Sequence, residues 1–95
     1  MIKLEVRYIL KKDMREAFYN GILSQGIDKD ARAEDGNLRY DFEIPAESDV
    51  LLLHELWENQ EALDRHAEMP HYKALALLKE KYVLETLIDK MKNKY

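Results

Sequence analysis

The order of hydrophobic periods along this 95-residue chain predicts an α+β fold of the ferredoxin-like type, in which one antiparallel sheet carries helices on one face. Three observations carry that expectation. Ile2 to Leu10 and Asn37 to Ile44 alternate apolar and polar residues with the period of a half-buried strand. Val50 to Trp57 is a mostly apolar run of strand length that follows the turn-forming residues Pro45 to Asp49, as the return strand of a hairpin does. The segments after the first and third of these runs change to a helical period, giving the order strand, helix, strand, strand, helices, strand.

In the first segment Ile2, Leu4, Val6, Tyr8 and Leu10 fall on one side with Lys3, Glu5 and Arg7 between them, and only Ile9 breaks the pattern. Asp13 then has the chemistry of a helix N-cap with Glu16 three positions on, and Met14, Ala17, Phe18 and Ile22 can share one helical face. This helix is expected to end before Asp35-Gly36, with a kink or loop near Gly26, because a Gly inside a helix costs ~1 kcal/mol relative to Ala. Leu38, Tyr40, Phe42 and Ile44 form the apolar side of the second strand, and the third reads as buried on both faces. Asn59 can cap a short helix on which Leu63, His66 and Ala67 share a face. Pro70 suits the first turn of another helix reaching about Lys81, with His71, Leu75, Leu78 and Tyr82 as its stripe. From about Val83 to Met91 the pattern fits a strand or a continuing helix, and the strand completes the sheet.

The composition, 46% hydrophobic and 36% charged, is that of one globular domain over residues 1–95. A net charge of −4 and a pI near 5.4 argue against nucleic acid as a partner, since binding to phosphates needs clustered Lys and Arg. The Lys90 to Lys94 end reads as a solvated tail. There is no Cys, so no disulfide or thiolate site, and no stretch nears the ~20 apolar residues that cross a bilayer. A cytoplasmic protein without membrane contact is the expectation. Large apolar groups on the sheet face opposite the helices call for a second sheet, most simply from an identical subunit, so a homodimer is expected.

Between Glu55 and Lys73 the chain places its only Trp and two of its three His. Both residue types can wall a pocket while keeping a nitrogen available, so a small-molecule site is expected here. His54, Glu55, His66 and His71 are metal-ligand types. However, His66 and His71 are five apart with a Pro between them, unlike the same-face pair of a zinc protease motif, so no metal is expected. His54, beside Glu55, is read as a cross-strand hydrogen-bonding residue that projects away from Trp57, and Glu55 as the anchor of a His or of an Arg such as Arg39 or Arg65.

Glu34-Asp35-Gly36-Asn37-Leu38-Arg39-Tyr40-Asp41, Glu55-Leu56-Trp57, Glu61-Ala62-Leu63 with His66, and Pro70-His71-Tyr72-Lys73-Ala74 together resemble the antibiotic biosynthesis monooxygenase (ABM) family. The resemblance spans the chain in element order and is densest from Glu34 to Ala74. It implies a dimeric α+β barrel and one of several chemistries: oxygenation of quinols or anthrones without metal or flavin, haem degradation, or isomerisation of a small phosphorylated metabolite. Haem-degrading members carry an Asn on the first strand and an iron-ligating His in a later helix. Here Val6, Arg7 and Ala76 stand there, so haem is not expected. Anthrone-type members carry an Asn shortly before the Trp, where this chain has Leu52 and Leu53.

Cofactor-free oxygenation needs an apolar slot, a base and a hydrogen bond that holds the substrate anion. The expectation is therefore a cofactor-independent monooxygenase for a small aromatic or quinol-like compound, with His66 and Trp57 as catalytic residues and Tyr40, Phe42, His71 and Tyr72 as substrate-binding residues. The alternatives are an isomerase or related enzyme on a small oxygenated metabolite and a non-catalytic ligand-binding dimer, the latter favoured by Leu52-Leu53.

Overall fold

The computed structural model of the protein describes residues 1–92. The elements run β1 (Ile2–Leu10), α1 (Arg15–Ser24), α2 (Ile27–Arg32), β2 (Asn37–Glu43), β3 (Val50–Trp57), α3 (Gln60–His66), α4 (Pro70–Tyr82) and β4 (Val83–Lys92). The four strands form one sheet in the order β2-β3-β1-β4, and every neighbouring pair is antiparallel. This is the ferredoxin-like arrangement that the periodicity predicts.

Alternation on β1 decides which face the helices cover. Ile2, Leu4, Val6, Tyr8 and Leu10 are buried, whereas Lys3, Glu5, Arg7 and Ile9 are half-buried on the opposite, open face. In β3 the inward set is Leu51, Leu53, Glu55 and Trp57. On the outer face Val50 is buried but Leu52, His54 and Leu56 are only half-buried within one chain, so the expected double burial of this strand holds only at its start. Phe18 and Ile22 of α1, Ile27 and Ala31 of α2, Ala62 of α3 and Leu75 of α4 close the core over the sheet, burying apolar surface at roughly 25 cal/mol per Å².

Several local expectations are corrected. Asp13 does not cap α1. It adopts φ 62° in the preceding turn, where its N–H donates to Asp49 Oδ1 at 2.9 Å, and Met14 occupies the cap position without a side-chain bond. Ala17 is exposed, so the buried stripe of α1 is Phe18 and Ile22. The expected break comes at Gly26, whose φ of 68° ends one helix and starts the next. In β2, Leu38 is the extra residue of a bulge between Asn37 and Arg39, which turns it outward to 49% exposure. Ile44 lies beyond the strand and is also exposed. Lys90 and Lys92 belong to β4 instead of a tail, and Lys90 Nζ donates to Gln60 Oε1 at 2.8 Å; Lys94 lies outside the described residues. The segment from Val83 is a strand.

Candidate functional site

The sheet and helices do not meet everywhere. A cavity of about 380 Å³ lies between them, floored by Leu4, Val6 and Tyr8 of β1, Tyr40 of β2 and Glu55 of β3, with α3, α4 and the inward face of β4 as walls. The α4 wall is the stripe Tyr72, Leu75, Ala76 and Lys79, spaced to share a helical face. Leu63, His66 and Ala67, grouped on one face by the sequence, all border the same space.

His66 reaches it because α3 is fixed at both ends. Asn59 caps the helix, its Oδ1 accepting the Ala62 N–H at 2.9 Å. At the other end Glu34, in the turn between α2 and β2, meets His66 Nδ1 at 2.5 Å and His71 Nε2 at 2.7 Å through one carboxylate oxygen. Gly36 permits this approach. Its φ is 88°, and a Cβ there would lie 2.6 Å from Ala62 Cβ, so no other residue lets the Glu34 turn pack this close to α3. The Gly36 carbonyl also accepts the Glu58 N–H at 2.8 Å, joining the turn to the end of β3.

A carboxylate can only accept, so His66 must present Nδ1–H to Glu34, which leaves Nε2 as the deprotonated nitrogen of the neutral ring. That nitrogen lies 4.0 Å from Glu55 Oε1. Glu55 is 6% exposed and its carboxylate accepts Trp57 Nε1–H at 3.0 Å. Burial raises its pKa to about 7; the Trp57 hydrogen bond opposes the shift and the charge of Glu34 adds to it. Burial lowers the pKa of His66, against the hydrogen bond and charge of Glu34, with His71 lowering it further. Below about pH 7 the pair therefore offers an imidazole that takes a proton beside a carboxyl that holds one. Burial also raises the phenols of Tyr8 and Tyr40 far above their ordinary value, which keeps both hydroxyls as donors.

The residues singled out in the sequence are distributed unevenly. His66, Tyr40 and Tyr72 border the cavity, and the His66 ring meets those of Tyr40 and Tyr72 edge-on. Trp57 is fully buried. Its ring packs at 4.6 Å on His66 and its N–H is spent on Glu55, so it backs the wall and does not line it. His71 stands behind His66 on Glu34, and Phe42 packs between Tyr19 and Tyr40; neither borders the cavity. His54 makes its cross-strand bond, to Glu43 at 2.7 Å on the open face. Among the described residues Glu55 pairs with no Arg; Arg39 bonds Asp41 instead. Glu34, His66 and His71 hold three metal-type donor atoms within 4.8 Å of one another, yet two ring N–H groups on one oxygen already satisfy that cluster.

From sequence Glu34 and Tyr8 are not among the expected site residues and Lys79 reads as solvated helix surface, whereas Lys79 is half-buried and borders the cavity. For Tyr8 the signal was its inward phase in β1, and Glu55 carried a clearer one, an acid at an inward position between Leu53 and Trp57. Glu34 had no comparable local signal, since only the tertiary fold brings its turn to α3.

The model of the family named Antibiotic biosynthesis monooxygenase matches residues 1–76. The chain belongs to the ABM family. Among its relatives is "Putative monooxygenase YcnE" of Bacillus subtilis (strain 168), 31% identical over 90 residues, with 94% of this chain and 92% of that protein covered. A solved structure from Nitrosomonas europaea that carries the same family name superimposes with a TM-score of 0.88 at 22% identity, covering all of both chains. Rv0793 from Mycobacterium tuberculosis gives 0.86 at 24% identity over 99% of this chain and 95% of that one. The structural likenesses establish the fold. ABM membership supports a general monooxygenase-like function on small molecules, and among the described residues no helix is long and apolar enough to cross a membrane.

Proposed function

We propose that this ABM protein is a cofactor-independent monooxygenase of a small aromatic or quinol-like compound, working as a homodimer, with His66 as its base. The observation that carries the reading is the contact of His66 Nδ1 with the Glu34 carboxylate, which leaves the other ring nitrogen beside Glu55 at the cavity. An Asp or Glu behind an imidazole is a recurrent way to orient a general base.

A phenolic hydroxyl entering between His66 Nε2 and Glu55 gives its proton to the imidazole. Tyr8, Tyr40 and protonated Glu55 surround the resulting anion with donors. The anion is electron-rich enough to reduce dioxygen, and the substrate supplies all four electrons, with the proton held by His66 ending on the water formed. One oxygen atom ends on the substrate carbon, the carbon's hydrogen leaves as a proton, and the second oxygen leaves as water. Trp57 and Glu34 act through His66 and Glu55 as positioning residues, as does His71 through Glu34. Tyr72 forms the aromatic edge of the slot, and Phe42 supports Tyr40.

Oxygen uptake with 1,4-naphthoquinol and with anthrone tests this. The expected result is uptake faster than autoxidation with at least one probe, reduced by about 100-fold or more in His66→Ala, the usual scale for losing a general base. Uptake at the spontaneous rate with both probes, or an unaffected His66→Ala variant, contradicts it. A base beside a protonated carboxyl is also the equipment of a proton-shuttling isomerase. For that second reading the same variant slows interconversion of a small hydroxy-ketone while no oxygen is consumed.

A further inference from the structure

Among the described residues no carboxylate is bonded to the cations on the cavity wall, although Asp64 borders the same space and accepts from Gln60. Lys79 and Lys90 both border the space, and among the described residues neither has a carboxylate partner. Lys90 is held by the Gln60 side-chain oxygen, and Gln60 in turn donates to Asp64. Lys79 has less. Lys79 is half-buried, and among the described residues its ammonium makes no hydrogen bond or ion pair; it lies over the Tyr8 ring, 5.8 Å from its centre. Burial lowers its pKa, the mark of a charge that has lost water without gaining an opposite charge. Glu55, the acid on the floor, is committed to Trp57. A side chain as long as Lys can usually extend its ammonium to solvent, so an ammonium kept over a cavity floor without a counter-ion is poised for a ligand.

Resting on the reading of this cavity as the substrate site, we propose that the substrate carries a carboxylate on its aromatic frame and that Lys79 is the residue that recognises it. The ligand then spans the cavity with its hydroxyl at His66 and Glu55 and its anionic substituent at the α4 wall. Lys90, already bound to Gln60, contributes at the rim. Lys79 sets which aromatic compounds bind and takes no part in the proton transfer.

Two phenols that differ by the carboxylate alone, 6-hydroxy-2-naphthoate and 2-naphthol, test this by calorimetric titration of the full chain. The wild-type protein is expected to bind the carboxylate at least tenfold more tightly. Lys79→Met should abolish that preference by weakening the carboxylate alone, and Lys79→Arg should keep most of it. Equal binding of the two phenols by the wild type, no binding of either, or a preference that survives Lys79→Met overturns the proposal. Oxygen uptake separates this result from the monooxygenase reading. Turnover of uncharged 1,4-naphthoquinol without any carboxylate preference overturns anion recognition alone, whereas a Lys79-dependent preference without oxygen uptake with 1,4-naphthoquinol or anthrone supports it and counts against the oxygenase.

Discussion

Glu55 shows how one residue links stability to chemistry. Its carboxyl is buried beside Trp57, with a pKa of about 7 against an ordinary 4.5. Between those values the folded chain holds a proton that the unfolded chain has released, so the stability due to protonated Glu55 is lost as pH rises through that window. Above it, ionised Glu55 costs on the order of 3 kcal/mol. Glu55→Gln, which can still accept the Trp57 N–H, should therefore raise the melting temperature at about pH 8 and leave it unchanged at about pH 5; equal effects at both would show that the carboxyl is not displaced. His66 has the opposite sign, its lowered pKa removing stability as pH falls below the ordinary imidazole value. At this scale the sequence was partly legible. The inward facing of His66 was readable because Leu63 and Ala67 share its face, whereas the full burial of Trp57 was not, because an indole fills either a pocket or a core and only the fold decides between them.

The turn at Glu34 to Gly36 is the element on which the site depends. Gly36→Ala combines a left-handed backbone with a contact against Ala62, and a loss of about 2–4 kcal/mol is expected in denaturant unfolding. A loss below about 0.5 kcal/mol would mean the turn can retreat without consequence. Glu34→Gln keeps the size of the side chain but removes the charge that supports His66. It should lower the imidazole pKa further in an NMR titration and slow turnover about tenfold or more, and an unmoved pKa would contradict its positioning role. Element order and most strand limits were readable because periods of two and of about 3.6 are local properties. The bulge at Leu38 and the cap of α1 were not, because the bulge depends on pairing with Leu56 and Trp57, and the turn at Asp13 depends on Asp49, which is remote in sequence.

For the whole molecule, the open sheet face carries half-buried Ile9, Leu52 and Leu56 among Lys3, Glu5, Arg7 and His54. A single chain leaves that face to water, and its mixed charges suit a second copy turned about a two-fold axis. Sedimentation should give twice the chain mass, and Leu52→Asp, introducing a charge at the centre of that face, should give the monomer. A wild-type monomer would contradict the dimer. The fold was legible in the sequence because β1 and β2 each alternate with the period of a strand and the segments after β1 and β3 change to a helical one; the cavity was not, because it is formed by β1, β2, β3 and β4 with α3 and α4, and no segment records a space. The proposed sharing of acid–base work between His66 and Glu55 in that space is tested most directly by the pH profile of kcat/KM for oxygen uptake, measured with whichever of 1,4-naphthoquinol and anthrone is oxidised. A bell is predicted, falling on the acid side as His66 protonates and on the alkaline side near pH 7 as Glu55 ionises, with only the alkaline limb lost in Glu55→Gln; a profile that keeps both limbs in that variant, or survives unchanged in His66→Ala, would contradict it.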